Sequence, residues 1–442
     1  MRKVYRSLIV VSLLTVVASV AAGTTGAATN NRSTASGMAP SIPATTIKLG
    51  FYPCCADSSL PIVGIDQGFF KDVGITISPP NGSQQTQSSQ FLPAMQRKSE
   101  DINTAFSTTW LNTLNTFGQN LPPAMLYDIY LGRDILVAPW SPYKSTAQFM
   151  AQGMSFTAAA AKAVAQLKGQ TVYTDPFSGS QPPYYDILLS FGGLTAKDIS
   201  FTFLADDKTL ALSATKGRVQ FAIPLAAPIL VSMIRNGYKP LIDMPDILKY
   251  APKSMQAIQL LKETGNNTVM IQRSLWTSDP DTILRFVSAM FRSIAFVENP
   301  ATAVKGDTEV ADTINAAQGL TLDAADIALV YKDVDPLFSW QEQASTLWNP
   351  ASPYYAPKGY AQAVQALIAE KSLPAGNYNL TQFLLAKTVY MQLASLQSEA
   401  NALFKKTANM TGAAKALVAQ AHQYYNWYDY LDAVNYLKAA VG

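Results

Sequence analysis

From about Thr46 onward, apolar positions follow two alternating rhythms. Residues 46–51 form a short apolar run suited to a buried strand. Residues 60–69 have helical spacing with Gly68 as a stop signal, and after the tight turn Asp72-Val73-Gly74 a second strand is predicted over 75–79. The unit repeats, with a helix over 91–98, a strand over 101–106, a helix over 110–117 and a strand over 124–130. A second series begins near Leu167, with a strand over 171–174, a Ser/Gly loop, and a helix from Tyr184 that Gly192-Gly193 ends. Such alternation predicts an α/β fold of two lobes with mostly parallel sheets. The ligand crevice of such a fold lies beyond the carboxyl ends of the strands.

Between the two series runs a long connection, 141–166, whose alanine-rich part over 157–165 predicts one helix. Farther on, Asp279 is placed to cap a helix with Pro280 at its first position, and Ile283, Val287, Met290, Ile294 and Val297 form its core stripe. The tail from Leu380 also has helical period, with Leu417, Ala421, Tyr424, Tyr428 and Leu431 expected on one face.

The start of the chain has a different character. Arg2, Lys3 and Arg6 precede an apolar run over 8–22, and small residues follow at Val20-Ala21-Ala22 and Gly26-Ala27-Ala28, the pattern of a secretory signal peptide. Residues 1–28 are read as that signal and 29–45 as a polar, flexible tether. No cysteine lies near the cleavage region to carry a lipid, so a periplasmic or secreted protein is expected. Loss of the three basic residues takes the formal charge from +3 to 3 − 3 = 0, which leaves no basic surface for nucleic acid. The remaining chain is divided into lobe I over 46–134, lobe II over 135–270, helices returning to lobe I over 271–395, and a helical C-terminal extension over 396–442.

Candidate chemistry is sparse. The one histidine, His422, falls in the helical tail away from any strand end, which leaves a Ser-His-Asp or Cys-His relay without its base. The two cysteines are adjacent, Cys54-Cys55, and no second pair completes a zinc site. "GFFKDVG" and "PFSGSQ" contain glycines without a phosphate-loop lysine. Binding without turnover, with no cofactor, is the expectation.

Five blocks in register carry a family resemblance: "IKLGFYPCCADSSLPIVGIDQGFFKDVGITI", "LPAMQRKSEDINTAFST", "LKGQTVYTDPFSGS", "LALSATKGRVQFAIPLAAP" and "DPDTILRFVSAMFRSIAFVENPATAV". Their order and spacing resemble the substrate-binding proteins of ABC importers of the nitrate, sulfonate, taurine and thiamine-precursor type. The resemblance spans 46–304 and extends more loosely to about 393. It implies a two-lobe type II periplasmic-binding-protein fold whose cleft closes on a small molecule, acting as a monomer with an ABC permease in the membrane as partner. The connection over 141–166 and the tail beyond about 395 depart from the family pattern.

In that architecture the loops after the strands converge on the cleft. Cys54, Cys55, Asp57 and Ser58 follow the first strand, and Ser107, Thr108 and Thr109 follow the strand ending at Phe106. Ser178, Gly179, Ser180 and Gln181 follow the strand ending near Thr174, and Pro224 follows the strand over 219–223. These twelve residues are the candidate ligand site. They offer hydroxyls, amides and backbone N–H groups but no Lys or Arg, so an anion would be held by dipoles alone. Asp57 and Asp175 instead favour an amine or ring N–H. Nearby aromatics favour an organic solute, sulfonate- or taurine-like or a nitrogen heterocycle. The cysteines themselves admit four readings: free thiols shaping an apolar wall, a vicinal disulfide, a soft-metal pair, or burial without function. Two other classes of function stand beside transport. They are a pyrimidine-precursor-forming enzyme on the same fold, and a ligand sensor that uses the tyrosine-rich tail.

Overall fold

A computed structural model describes residues 38–86, 90–107, 111, 114–116, 120–132, 134–174, 182–224, 226–252, 266–369, 371 and 373–442. Among them, ten strands form two five-stranded sheets. In chain order these are β1 (Thr45–Phe51), β2 (Ile75–Gln84), β3 (Ile102–Phe106), β4 (Pro123–Leu126), β5 (Ile135–Val137), β6 (Thr171–Thr174), β7 (Ser200–Phe203), β8 (Phe221–Ile223), β9 (Lys239–Ile242) and β10 (Asn267–Ile271).

The first sheet runs β2-β1-β3-β10-β4 and the second β7-β6-β8-β5-β9. In the first, β1 is parallel to β2 and β3, while β10 is antiparallel to both β3 and β4. In the second, β6 is parallel to β7 and β8, while β5 is antiparallel to both β8 and β9. The two sheets therefore share one topology. In each, the antiparallel strand is the one that enters just after the chain has crossed from the other sheet. This is the two-lobe α/β architecture with mostly parallel sheets. Asn267 already pairs with Phe106, so the chain is back in the first sheet by Asn267 rather than at 271.

Local differences from the sequence reading have simple causes. The helix expected over 60–69 is two short helices, Pro61–Asp66 and Phe69–Asp72, separated where Gly68 takes a positive φ of 75°. Strand β2 runs on to Gln84, past the expected end at Pro79. The alanine-rich part of the 141–166 connection forms the expected helix, Phe156–Ala165, and a short helix, Thr146–Met150, precedes it. Thr146–Met150 starts with a reciprocal cap between Ser145 and Gln148, and Phe156–Ala165 starts at Ser155. The helix Pro280–Glu298 is capped by the Asp279 carboxylate, and all five residues of its expected stripe are buried. The expected tail stripe is interrupted. Helix Gly412–Asn426 stops before Tyr428, whose φ is +63°, and a new helix, Tyr430–Val441, leaves in another direction. Leu417, Ala421 and Tyr424 are buried, whereas Tyr428 belongs to the turn and Leu431 to the next helix.

That tail is fastened to the long helix by a fully buried ion pair. Arg285 Nε and Nη2 donate to Asp432 Oδ2 and Oδ1 at 2.7 and 2.9 Å, a bidentate fork, and Ser288 Oγ donates to the Tyr428 carbonyl at 2.9 Å. Burial alone would raise the Asp432 carboxyl, but the Arg285 hydrogen bonds and charge outweigh it and hold the pKa below the ordinary value. Trp340 completes the joint, with ring centroids 4.6 Å from Tyr390, 5.2 Å from Phe291 and 5.2 Å from Tyr430. Replacing Asp432 by Asn leaves a guanidinium buried without its charge partner, with an expected cost of about 3–5 kcal/mol. Lys438→Ala, which removes an exposed pair with Glu399, is expected to cost under about 1 kcal/mol. Urea unfolding of both variants checks this, and a cost for Asp432→Asn as small as for Lys438→Ala would show that the pair does not hold the tail.

Candidate functional site

The carboxyl ends of β1, β3 and β4 and the start of antiparallel β10 lie at one edge of the first sheet. The loop that leaves β1 there folds back on itself. Ser58 Oγ donates to the carbonyls of Tyr52 and Cys55 at 2.6 and 3.2 Å, and Thr104 Oγ1 from β3 donates to the Ser58 carbonyl at 2.8 Å. Phenols from two distant segments hold the same loop. Tyr127 Oη donates to the Asp57 carbonyl at 3.2 Å and Tyr331 Oη to the Ala56 carbonyl at 2.9 Å. Cys54 and Cys55 are joined to each other as a vicinal disulfide. Of the four readings of these cysteines, this removes free thiols and a soft-metal thiolate pair from the structure. Cys54 is half-buried and Cys55 buried.

Asp57 points into the protein. Its Oδ1 accepts from the Ser58 N–H at 2.6 Å and its Oδ2 from Asn267 Nδ2. The Asn267 N–H in turn donates to Asp128 Oδ1, and Asn266 Nδ2 donates to the Asp128 carbonyl. Asn266 leads on to Ser107, whose N–H donates to the Asn266 carbonyl at 3.0 Å, and to Tyr360, whose hydroxyl donates to Asn266 Oδ1 at 3.4 Å. One polar network thus joins Asp57, Ser58 and Ser107, three of the twelve candidates. Pro224 lies apart at the end of β8, where Thr174 Oγ1 donates to the neighbouring Ile223 carbonyl at 2.8 Å. Thr108, Thr109, Ser178, Gly179, Ser180 and Gln181 lie outside the described residues.

The network holds more acid than the sequence reading found. Asp57, Asp128 and Asp335 are all 0% exposed, and each offers an oxygen within 4.8 Å of those of the other two. Asp335 arrives on the segment 334–338, which runs beside the chain as it leaves the first sheet. The Ile129 N–H donates to the Pro336 carbonyl, the Leu131 N–H to the Val334 carbonyl, and the Phe338 N–H to the Tyr127 carbonyl at 3.2, 2.7 and 2.8 Å. Gly132 follows this pairing, and a Cβ there would collide with Val334 and Tyr130.

Burial pushes the Asp128 carboxyl well above its ordinary value, and the charges of Asp57 and Asp335 push it further. Burial raises Asp57 as well, against hydrogen bonds from Asp128, Ser58 and Asn267. Both carboxyls are therefore raised, Asp128 the more strongly. None of the ion pairs among the described residues includes Asp57 or Asp128. Asp128 could have been flagged from the sequence, because a carboxylate inside the apolar run Leu126-Tyr127-Asp128-Ile129-Tyr130 is an uncommon occupant of a buried strand. Asn267 and Asp335 had no comparable signal.

With this geometry in hand, comparison with known proteins is informative about the fold. No family model matches the chain, and no curated protein matches it. Solved structures do match. The periplasmic aliphatic sulphonate binding protein SsuA from Escherichia coli superposes with a TM-score of 0.52 at 16% identity, over 78% of this chain and 99% of that one. The periplasmic nitrate-binding protein NrtA from Synechocystis PCC 6803 gives 0.51 at 16% identity, over 80% and 89%. The sulfonate-binding SsuA of Methylobacillus flagellatus KT gives 0.51 at 15%, over 79% and 95%. The chain has the fold of the periplasmic binding proteins. At this identity the likeness fixes architecture and leaves the ligand to the site itself.

Two measurements check the loop disulfide and a buried acid outside the site. Protein denatured without reductant should show no titratable thiol, and two after reduction; thiols present before reduction would rule out the Cys54–Cys55 bond. Asp307, buried on helix Ala303–Gln318 with an Oδ1 that accepts no hydrogen bond, is pushed up to about 7 by burial. Its folded pKa lies above the unfolded value near 3.9, so stability falls as pH rises from about 4 to about 7. Asp307→Asn should therefore stabilise the protein at pH 8 by up to about 4 kcal/mol, three pKa units at 1.36 kcal/mol each, and by less at pH 5. An equal change in Tm at both pH values would show that Asp307 is not held neutral.

Proposed function

We propose that this chain is the extracytoplasmic solute-binding component of an ABC importer. It captures a small organic solute, sulfonate- or taurine-like or a nitrogen heterocycle, between its two lobes and delivers it as a monomer to a membrane permease. The observation that carries this reading is the pair of sheets with one shared strand order, each completed by a strand that has crossed from the other. Such an arrangement faces two sets of strand-end loops across one crevice, where a ligand bridging both favours the closed form. The fold it shares with sulfonate- and nitrate-binding proteins supports the same reading. In this proposal Cys54 and the loops holding Thr108, Thr109, Ser178, Gly179, Ser180, Gln181 and Pro224 meet the solute. Asp57 and Ser58, whose polar atoms turn inward, shape the loop behind them.

No second reading gains an observation of its own. His422 is exposed on the tail, stacked on Phe404 at 4.0 Å between ring centroids, and joins no acid network of the strand ends. Tyr424 and Tyr430, which a sensor tail would present to another protein, are buried against their own chain.

A thermal-shift panel of alkyl sulfonates, taurine, nitrate and nitrogen heterocycles should yield a stabilising solute, and scattering with that solute should show compaction. Ser180→Ala is then expected to weaken binding by roughly 1–3 kcal/mol, the cost of one lost buried hydrogen bond, with little change in the Tm of the ligand-free protein. A tight binder that causes no compaction would overturn the cleft mechanism. Unchanged affinity with a lowered Tm would reassign Ser180 to holding its own loop.

A further inference from the structure

The structure assigns Cys54 as a site of thiol–disulfide exchange in the folded protein: an incoming small thiol joins Cys54, and Cys55 is the sulfur that leaves. The asymmetry between the two residues carries this. From Pro53 to Leu60, Cys54 is the one residue that is not buried. Cys55 is 2% exposed and belongs to the apolar core that also holds Ala56, Leu60 and Val63. A reagent in solution therefore meets the Cys54 half of the Cys54–Cys55 bond and not the Cys55 half.

The second observation is that the loop does not depend on this bond for its shape. Four of its carbonyls accept hydrogen bonds from side chains of distant segments. Gln318 Nε2 donates to Pro53 at 3.3 Å, Tyr331 Oη to Ala56 at 2.9 Å, Tyr127 Oη to Asp57 at 3.2 Å and Thr104 Oγ1 to Ser58 at 2.8 Å. Ser58 Oγ closes the loop on itself by donating to the Tyr52 carbonyl at 2.6 Å. None of these contacts uses a sulfur. Opening the disulfide frees the Cys54 side chain and leaves the backbone in place.

In the first step a thiolate attacks Cys54 Sγ, the Cys54–Cys55 bond breaks, and Cys55 leaves with the electron pair. Released among apolar side chains, the Cys55 thiolate takes a proton from solvent. The product is a mixed disulfide on Cys54 beside a neutral thiol at Cys55. A monothiol such as glutathione stops there, because a neutral, enclosed thiol attacks back slowly. A dithiol goes on: its second thiol attacks its own sulfur in the mixed disulfide, the Cys54 thiolate leaves and is protonated, and the reagent departs as a cyclic disulfide. The protein gains the two electrons and two protons that the dithiol loses. This chemistry belongs to the loop itself and does not rest on the proposed transport role.

The test uses the whole chain in native buffer, with glutathione and dithiothreitol as probes, followed by acid quench, alkylation and tandem mass mapping. Glutathione is expected on Cys54, with an alkylated Cys55 beside it. Dithiothreitol is expected to release both thiols while the circular dichroism spectrum stays that of the oxidised protein. Single variants separate access from bonding. In native buffer the thiol left in Cys55→Ala should react with a maleimide about ten-fold faster or more than the thiol left in Cys54→Ala, and in urea the two should react alike. A bond that opens only in urea, glutathione found on Cys55, loss of the folded spectrum on reduction, or equal maleimide rates in native buffer would each overturn the site. Free thiols in the protein before any reductant is added would overturn it as well.

Discussion

Asp57 and Asp128 are kept out of water at the point where the chain leaves its first sheet, and much of the surrounding architecture answers to that constraint. Two unscreened carboxylates in a medium of low dielectric cannot both stay charged without compensation. Compensation comes from hydrogen bonds: the Ser58 and Asn267 N–H groups and the Asn267 side-chain amide. These partners come from two segments, the loop after β1 and the start of β10. A change in the position of any one would expose an unmet charge, so the network fixes the loop after β1, the start of β10 and the departing chain relative to one another. Polar networks of this kind specify a unique arrangement more strongly than apolar packing does, because a half-satisfied alternative is so unfavourable.

The crossing between sheets follows from this anchoring. The departing segment is paired with 334–338 as far as Leu131, and β5 begins at Ile135. On this outward crossing a short stretch joins the two sheets, and the return crossing ends at β10. On the near side of that point the chain is clamped by backbone hydrogen bonds and by Tyr127 and Tyr331, whose phenols hold the loop carbonyls and stay neutral because burial pushes them well above their ordinary range.

Much of this fold was legible because it depends on local pattern. The Asp279-Pro280 start and the stripe from Ile283 to Val297 describe a helix that forms as read, since a cap and a 3.6-residue period need no distant partner. Strand β6 was equally plain. The tail was misread at Tyr428 because the apolar period continues through a turn: Asp429 caps the next helix by accepting from the Asp432 N–H, and a single residue at positive φ redirects the chain. The site was legible only in part, for a related reason. Position after a strand marked Asp57 and Ser107 as residues at the sheet edge, but what they bond to arrives from 128, 266–267 and 335, separations that periodicity does not encode. The cysteines show the limit most clearly, since their spacing was compatible with several chemistries and only the folded loop selects the disulfide.

The helical tail fits the same mechanical logic. Its fastenings, the Arg285–Asp432 fork, the Ser288–Tyr428 bond and the rings around Trp340, all lie on the long helix Pro280–Glu298 and its neighbours. Helix Trp340–Thr346 is in turn bonded to the first sheet, where Gln343 Nε2 donates to the Leu126 carbonyl of β4 at 2.6 Å. The extension therefore adds to the side that already holds the acid network. Had it bridged both sheets with buried ion pairs, closure would have had to break them at several kcal/mol each. Attached to one side, the extension thickens the part of the molecule that is built on the first sheet.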